Sequence, residues 1–196
     1  MYEDWIQYTD IEILRLSKKE PDSFGILIER YEQKLRRYLY RITHGQETDI
    51  SDMLQNIFLK IYEYQNSFNE KYTFNSWIYR ISHNEAIDFL RKKTVRQTVS
   101  FEEYMDQKKE DFDISHIWDE EENSDMTHHI DGPTLLGAID ELHFEQKTVL
   151  MLKYFEDKSY DEIALIMEKP RNTIGTLIHR AKNNLEKIIN KKDHAS

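Results

Sequence analysis

The residues equipped for chemistry fall into two clusters. Between Asn66 and Arg91, Phe68, Tyr72, Phe74, Trp77 and Tyr79 crowd into a dozen positions, with Lys71, Arg80, His83, Asn84 and Arg91 interleaved. Rings beside cations suit stacking on unpaired bases with capture of phosphates. Such rings also build cores: Trp77 is expected inside, whereas Phe68, in a polar loop, is expected at the surface. The second cluster lies near the C-terminus. If the segment after Pro170 is helical, Asn172, Thr176, His179 and Asn183 share one outward face, flanked by Arg171, Arg180 and Lys182. Amide and hydroxyl groups read base edges, and Arg and Lys neutralise phosphates. The bland alternative is a basic, solvated face of a bundle helix.

The elements that must position these clusters are helices. Phe24, Leu27, Ile28, Tyr31, Leu35, Leu39 and Ile42 recur at three and four residues, one buried stripe. Pro21 suits the first turn of that helix, and a shorter helix precedes it around Ile11 to Leu16. His44-Gly45 breaks the pattern. Asp49 is the expected N-cap of the next helix, whose stripe is Leu54, Ile57, Phe58 and Ile61. Residues 66–73 read as a loop and Phe74 to about Lys93 as a helix. Further on, helices are expected over 135–142 and 144–155. Ser159-Tyr160-Asp161-Glu162 is a capping box, in which the Ser hydroxyl accepts from a free backbone N–H and the Glu reaches back. It opens a helix with Ile163, Ala164 and Met167 inward. After Pro170 a last helix turns Ile174, Ile178, Ala181, Leu185 and Ile188 inward. A capped helix, a tight turn and a second helix is helix-turn-helix geometry.

Composition agrees with an all-α chain. There are 5 Gly and 3 Pro in 196 residues, too little turn punctuation for sandwiches or barrels. Without cysteine there is no disulfide, thiolate zinc site or cysteine nucleophile. No run of 18 apolar residues could span a membrane, and Met1 to Asp10 lacks the basic start of a signal peptide. The net charge of −10 argues at first against a nucleic-acid partner. That excess has an address, however. Residues 97–134 hold 12 acidic and two basic residues, and the rest of the chain balances to zero. This segment, with Asp119-Glu120-Glu121-Glu122, shows no sustained period and reads as a flexible acidic linker. It separates a domain over 10–96 from one over 135–192. Lys169 to Lys192 nets +6, whereas Leu135 to Glu168 nets −5. His128-His129 in the linker read as polar residues, not a metal site. No triad, phosphate loop or carboxylate pair supports an enzyme, and no cofactor is implied.

The blocks Asp49-Ile50-Ser51-Asp52-Met53-Leu54-Gln55-Asn56-Ile57-Phe58, Asn66-Ser67-Phe68 and Phe74 through Arg91 resemble region 2 of the extracytoplasmic-function (ECF) sigma factors of the sigma-70 family. Leu150 through Phe155, Ser159 through Ala164, Pro170, and Thr173 through Ala181 resemble region 4. The resemblance covers about residues 10–190. It implies a subunit that binds core RNA polymerase and directs initiation at chosen promoters. Asp49, Asp52, Gln55, Asn56 and Phe58 match the block that docks on the coiled coil of the β′ clamp. The family pattern usually has Glu where Asn56 stands, so that contact is weaker here or paired differently.

The resemblance further implies that the −10 element is melted, with Phe68 and Asn84 at positions that meet unpaired bases and a base pocket formed by the loop before Trp77. Asn69 and Lys71 belong to the same block, and Arg80, Arg91, Lys92 and Lys93 would hold phosphates. The −35 element is read in the major groove by Arg171, Asn172, Thr173, Thr176, His179, Arg180 and Lys182. Family members often carry cations where Gly175 and Leu177 stand, which sets this recognition helix apart. The acidic linker would enter basic polymerase channels as an RNA mimic. Expected partners are core polymerase through its β′ and β subunits, promoter DNA and an anti-sigma factor, with the protein in the cytoplasm. The competing reading is a stand-alone helix-turn-helix regulator, which would not need the Phe68–Arg91 block.

Overall fold

The computed structural model describes residues 7–96 and 132–193. Residues 97–131 of the expected linker, with His128 and His129, lie outside the described residues, so their expected flexibility and channel mimicry do too; its last three residues, 132–134, are not linker but the start of a helix. The described residues form two helical domains and contain no strand.

In the first domain α1 spans Asp10–Leu16. Thr9 caps it: its hydroxyl accepts from the Glu12 N–H, while the Glu12 carboxylate accepts from the Thr9 N–H at 2.7 Å. Those bonds hold the Glu12 carboxyl below its ordinary pKa. A single 3-10 turn over Pro21–Ser23 leads into α2, Phe24–Thr43. The Tyr31 hydroxyl donates to Asp10 at 2.5 Å and Arg30 pairs with the other Asp10 oxygen at 2.7 Å, fastening α1 to α2. Burial and Asp10 together push the Tyr31 phenol far above its usual pKa.

The α2 stripe is buried as its spacing predicts, apart from the half-buried Ile28, and Ile26 and Tyr38 widen it. At its end the left-handed residue is His44, φ 47°, not Gly45. Gly45 serves by lacking a side chain: a Cβ there would sit 3.3 Å from Asp49 Cβ, Ile50 Cδ1 and Thr43 Oγ1.

Helix α3 runs Glu47–Tyr64 and α4 runs Phe74–Arg96, three residues past the expected end. The expected N-cap is corrected. Gln46 occupies that position, and Asp49 sits three residues on, its carboxylate accepting from the Gln46 N–H at 3.0 Å. Asp49 therefore closes the cap from inside the helix. Tyr38 and Tyr79 meet edge to face at 5.2 Å and Tyr31 and Phe74 at 5.5 Å, tying α4 onto α2.

In the second domain α5 is Gly132–Asp140 and α6 is Phe144–Leu150, which continues as one wide π turn over Met151–Phe155. There the Glu156 N–H reaches the Met151 carbonyl, five residues back. Helix α7 is Tyr160–Ile166, starting where the capping box predicts, and α8 is Arg171–Asp193; by packing, residues 161–168 group with the first compact unit and α8 with the second. Four residues join them, with Glu168 left-handed at φ 53°. Ile163 and Met167 are buried, Ala164 is only half-buried, and Ile166 takes the remaining inward place. On α8 the inward residues are Ile174, Ile178, Ala181, Leu185 and Ile189; Ile188 is half-buried, because a 3.6-residue turn brings the next position round. Lys147 of α6 is buried and pairs with Asp140 of α5 at 3.1 Å. Burial holds its amine below the ordinary lysine value, an effect Asp140 opposes.

Candidate nucleic-acid and docking interface

The loop from Phe68 to Thr73 is shaped by its own side chains. The Asn69 carboxamide accepts from the Lys71 N–H at 3.1 Å, and the Asn69 carbonyl from the Tyr72 N–H at 3.0 Å. Thr73 opens α4 by accepting from the Ser76 N–H at 3.1 Å. Glu70 is gripped by Arg15 of α1 through three hydrogen bonds of 2.5, 2.6 and 3.1 Å, so the loop is tied back to the bundle.

The rings occupy different places from those expected. Phe68 is half-buried rather than exposed: its ring lies 5.1 Å from Trp77 and 6.0 Å from Phe74. Trp77 is half-buried rather than core, since it covers the loop from outside. Tyr72 is the ring left open at the loop, 49% exposed. Asn75, just ahead of Trp77, has a buried side-chain oxygen with no protein partner.

Along α4, Trp77, Arg80, Asn84 and Arg91 follow at three, four and seven residues, one side of the helix. Asn84, Arg91 and Lys92 are exposed, as are Asn69 and Lys71 in the loop; Arg80 is half-exposed. The loop rings and this cation-lined stripe thus adjoin, a wall of π surface beside positively charged side chains.

The α3 block divides. Asp52, Gln55 and Asn56 are exposed, Asp49 is half-buried in its cap, and Phe58 is buried with its ring edge-on to Phe24 at 6.5 Å. Phe58 supports the helix from beneath and does not project as a docking side chain. Beside it Leu59, 52% exposed, and Tyr62 are large apolar side chains left open on α3, residues sequence reasoning passed over. Their signal was an apolar side chain lying off the buried 54–57–58–61 stripe. Leu59, Tyr62 and Gln55 edge an open groove of about 470 Å³ whose floor is Phe24, Ile28, Leu54 and Phe58. Asn56 donates its Nδ2 to Glu85 of α4 at 3.0 Å, and Lys60 takes the other Glu85 oxygen.

On α8, Arg171, Asn172, Thr173, Thr176, His179, Arg180 and Asn183 are all exposed and Lys182 is half-exposed. Asn183 and His179 hydrogen-bond at 3.2 Å, and the Thr176 hydroxyl donates to the Asn172 carbonyl at 3.1 Å. Lys182 lies over the Tyr154 ring, 5.1 Å from its centre. Tyr154 is 52% exposed, a neighbour the sequence did not signal, because the π turn alters which side of the segment faces out.

Two family descriptions match these same stretches: sigma-70 region 2 over residues 27–96, and sigma-70 region 4 over residues 134–185. The chain belongs to the sigma-70 family, among its ECF sigma factors. Curated relatives of this sigma factor include the ECF RNA polymerase sigma-E factor of Haemophilus influenzae, 29% identical over 93% of this chain and 96% of that protein. The ECF RNA polymerase sigma factor SigW of Bacillus subtilis is 27% identical over 90% of this chain and 94% of its own.

Two solved structures share the fold. CnrH, determined with the cytosolic domain of CnrY, superposes with a TM-score of 0.63 at 16% identity, over 93% of this chain and 97% of CnrH. The sigma factor RpoE of Bartonella quintana, determined with the anti-sigma factor NepR, gives 0.61 at 19% identity, over 85% and 96%. Among the described residues no helix is long and apolar enough to cross a membrane.

Proposed function

We propose that this sigma factor binds core RNA polymerase through the exposed side of α3, opens the −10 element with the 68–73 loop and the α4 stripe, and reads the −35 element with α8. The observation that carries the reading is the pairing of two unlike nucleic-acid surfaces in one chain. The ring-walled loop beside Asn84, Arg80 and Arg91 suits unstacked single strands, whereas the amide, hydroxyl and imidazole face of α8 suits a duplex groove. A regulator that binds only duplex DNA has no use for the first.

In this reading Asp52, Gln55 and Asn56 meet the polymerase beside the groove edged by Leu59 and Tyr62, and Asp49 and Phe58 hold α3 in shape. Phe68 and Trp77 wall the space into which a base is turned out, at a cost of a few kcal/mol that stacking and phosphate contacts offset. Asn84 contacts unpaired bases. Asn69 and Lys71 act from the loop; Arg80, Arg91 and Lys92 hold the strand. Asn172, Thr173, Thr176 and His179 read base edges while Arg171, Arg180 and Lys182 fix the register on phosphates. The protein acts in the cytoplasm, and an anti-sigma factor is its expected restraint, the kind of partner bound to the Bartonella relative.

The test is transcription in vitro with core polymerase on promoter fragments. Asn84→Ala should impair strand opening, read by permanganate reactivity of unpaired thymines, while core binding holds. Equal loss of both would show that Asn84 serves the fold. Asp52→Ala with Gln55→Ala should weaken core binding; unchanged holoenzyme assembly would refute the α3 assignment.

A further inference from the structure

Asn56 is exposed on the side of α3 that carries Asp52 and Gln55, yet one half of its amide is committed inward. Its partner there is Glu85, 5% exposed, on the facing side of α4. A carboxylate only accepts, so the atom Asn56 turns toward Glu85 at 3.0 Å must be the NH2 nitrogen. The amide is planar, and its carbonyl oxygen is therefore directed away from Glu85. Lys60 fixes the carboxylate by taking the second Glu85 oxygen. No described residue donates to the Asn56 carbonyl oxygen. Two side chains, one from each helix, thus set the orientation of the Asn56 amide.

We propose that Glu85 is a positioning residue for polymerase docking: it locks Asn56 so that a carbonyl oxygen, and not an NH2 group, is presented to the polymerase. The inference rests on the reading of α3 as the polymerase contact. The group that Asn56 meets is accordingly a donor, an Arg or Lys side chain or an amide N–H. The same network accounts for an amide at position 56. A carboxylate there would face the buried Glu85 carboxylate, and two like charges at hydrogen-bonding distance disfavour both the fold and the charged state. Asn56 supplies the outward acceptor oxygen without that repulsion.

A double-mutant cycle on the full chain with core polymerase tests this, with core-binding affinity and the melting temperature read separately. Glu85→Gln frees the amide to turn over and should weaken core binding about fivefold, the worth of one oriented hydrogen bond. In an Asn56→Ala background the same change should leave affinity where Asn56→Ala alone puts it. Asn56→Glu should lower the melting temperature by roughly 4 °C or more. Adding Glu85→Gln to it should recover both stability and affinity, since the new carboxylate needs no lock.

Equal losses from Glu85→Gln in both backgrounds would overturn the proposal, because Glu85 would then act on the fold and not through Asn56. If Asp52→Ala weakens core binding while Asn56→Ala and Glu85→Gln do not, the lock is refuted and the α3 reading stands. If none of the three affects core binding, the α3 reading itself fails.

Discussion

Gly175 gives a prediction that separates helix propensity from steric need. It is the fifth residue of α8, past the first turn, and its φ is not positive. The nearest atom to an added Cβ is Tyr160 Cε2 at 3.9 Å, an ordinary contact. Nothing in the backbone or the packing requires glycine here. Glycine inside a helix gives up about 1 kcal/mol relative to alanine, so Gly175→Ala should gain about that much. For a domain of this size the gain corresponds to a rise in melting temperature of about 4–8 °C. Gly45→Ala is the paired control in the other domain. There an added Cβ lies 3.3 Å from three atoms, one of them Asp49 Cβ in the α3 cap, and the Gly45 N–H also donates to the Thr43 hydroxyl at 3.2 Å. That change should lower stability. Calorimetry on the full chain reads both, because each variant should shift a different domain's transition in the opposite direction. A Gly175→Ala protein no more stable than the parent would refute the reasoning.

Other outcomes follow from the charged groups. Asp140→Asn should cost the second domain about 1–3 kcal/mol in urea unfolding, less than a fully buried pair because Asp140 is 39% exposed, whereas Lys147→Met should be neutral or stabilising. Lys147 also sets a pH dependence. Its folded-state value is lowered, so between that value and 10.5 the unfolded chain holds a proton that the folded chain has released. Stability of the second domain should therefore rise with pH across that window, and Lys147→Met should abolish the rise. Arg180→Ala should weaken holoenzyme binding to all promoters alike and reduce the slope of log affinity against log salt by about one, measured by filter binding across salt concentrations.

The helices were legible where burial follows a single period. The α2 stripe and the inward residues of α8 came almost directly from spacing, with Ile189 replacing Ile188 by one position. The Asp49 error was one of choosing between two ends of the same cap: a carboxylate three residues inside a helix serves the N-terminus as well as one at its start. Helix α4 was hardest to read, because it buries Ser82, His83 and Glu85 along with Ile78 and Leu90, and polar burial leaves no period in the sequence. The role of Glu85 was hidden for that reason. Phe68 was misplaced because its burial comes from Trp77 and Phe74 folding over the loop, a tertiary contact that a polar neighbourhood in sequence conceals. The α8 face was legible as soon as the helix was, since outward positions follow from the inward ones.

The π turn at Met151–Phe155 carries an implication for length variation in this domain. Such a turn holds one residue more than an α turn, so the segment contains a spare register position. Deleting one residue within it should convert it to ordinary helix and leave the start of α7 nearly in place, whereas a deletion inside α8 would rotate every later side chain by about 100°. The spare residue best placed to go is Tyr154, which is open to solvent and serves as a platform for Lys182. A one-codon deletion at Tyr154 should therefore be tolerated by the fold and cost only the ring beneath Lys182.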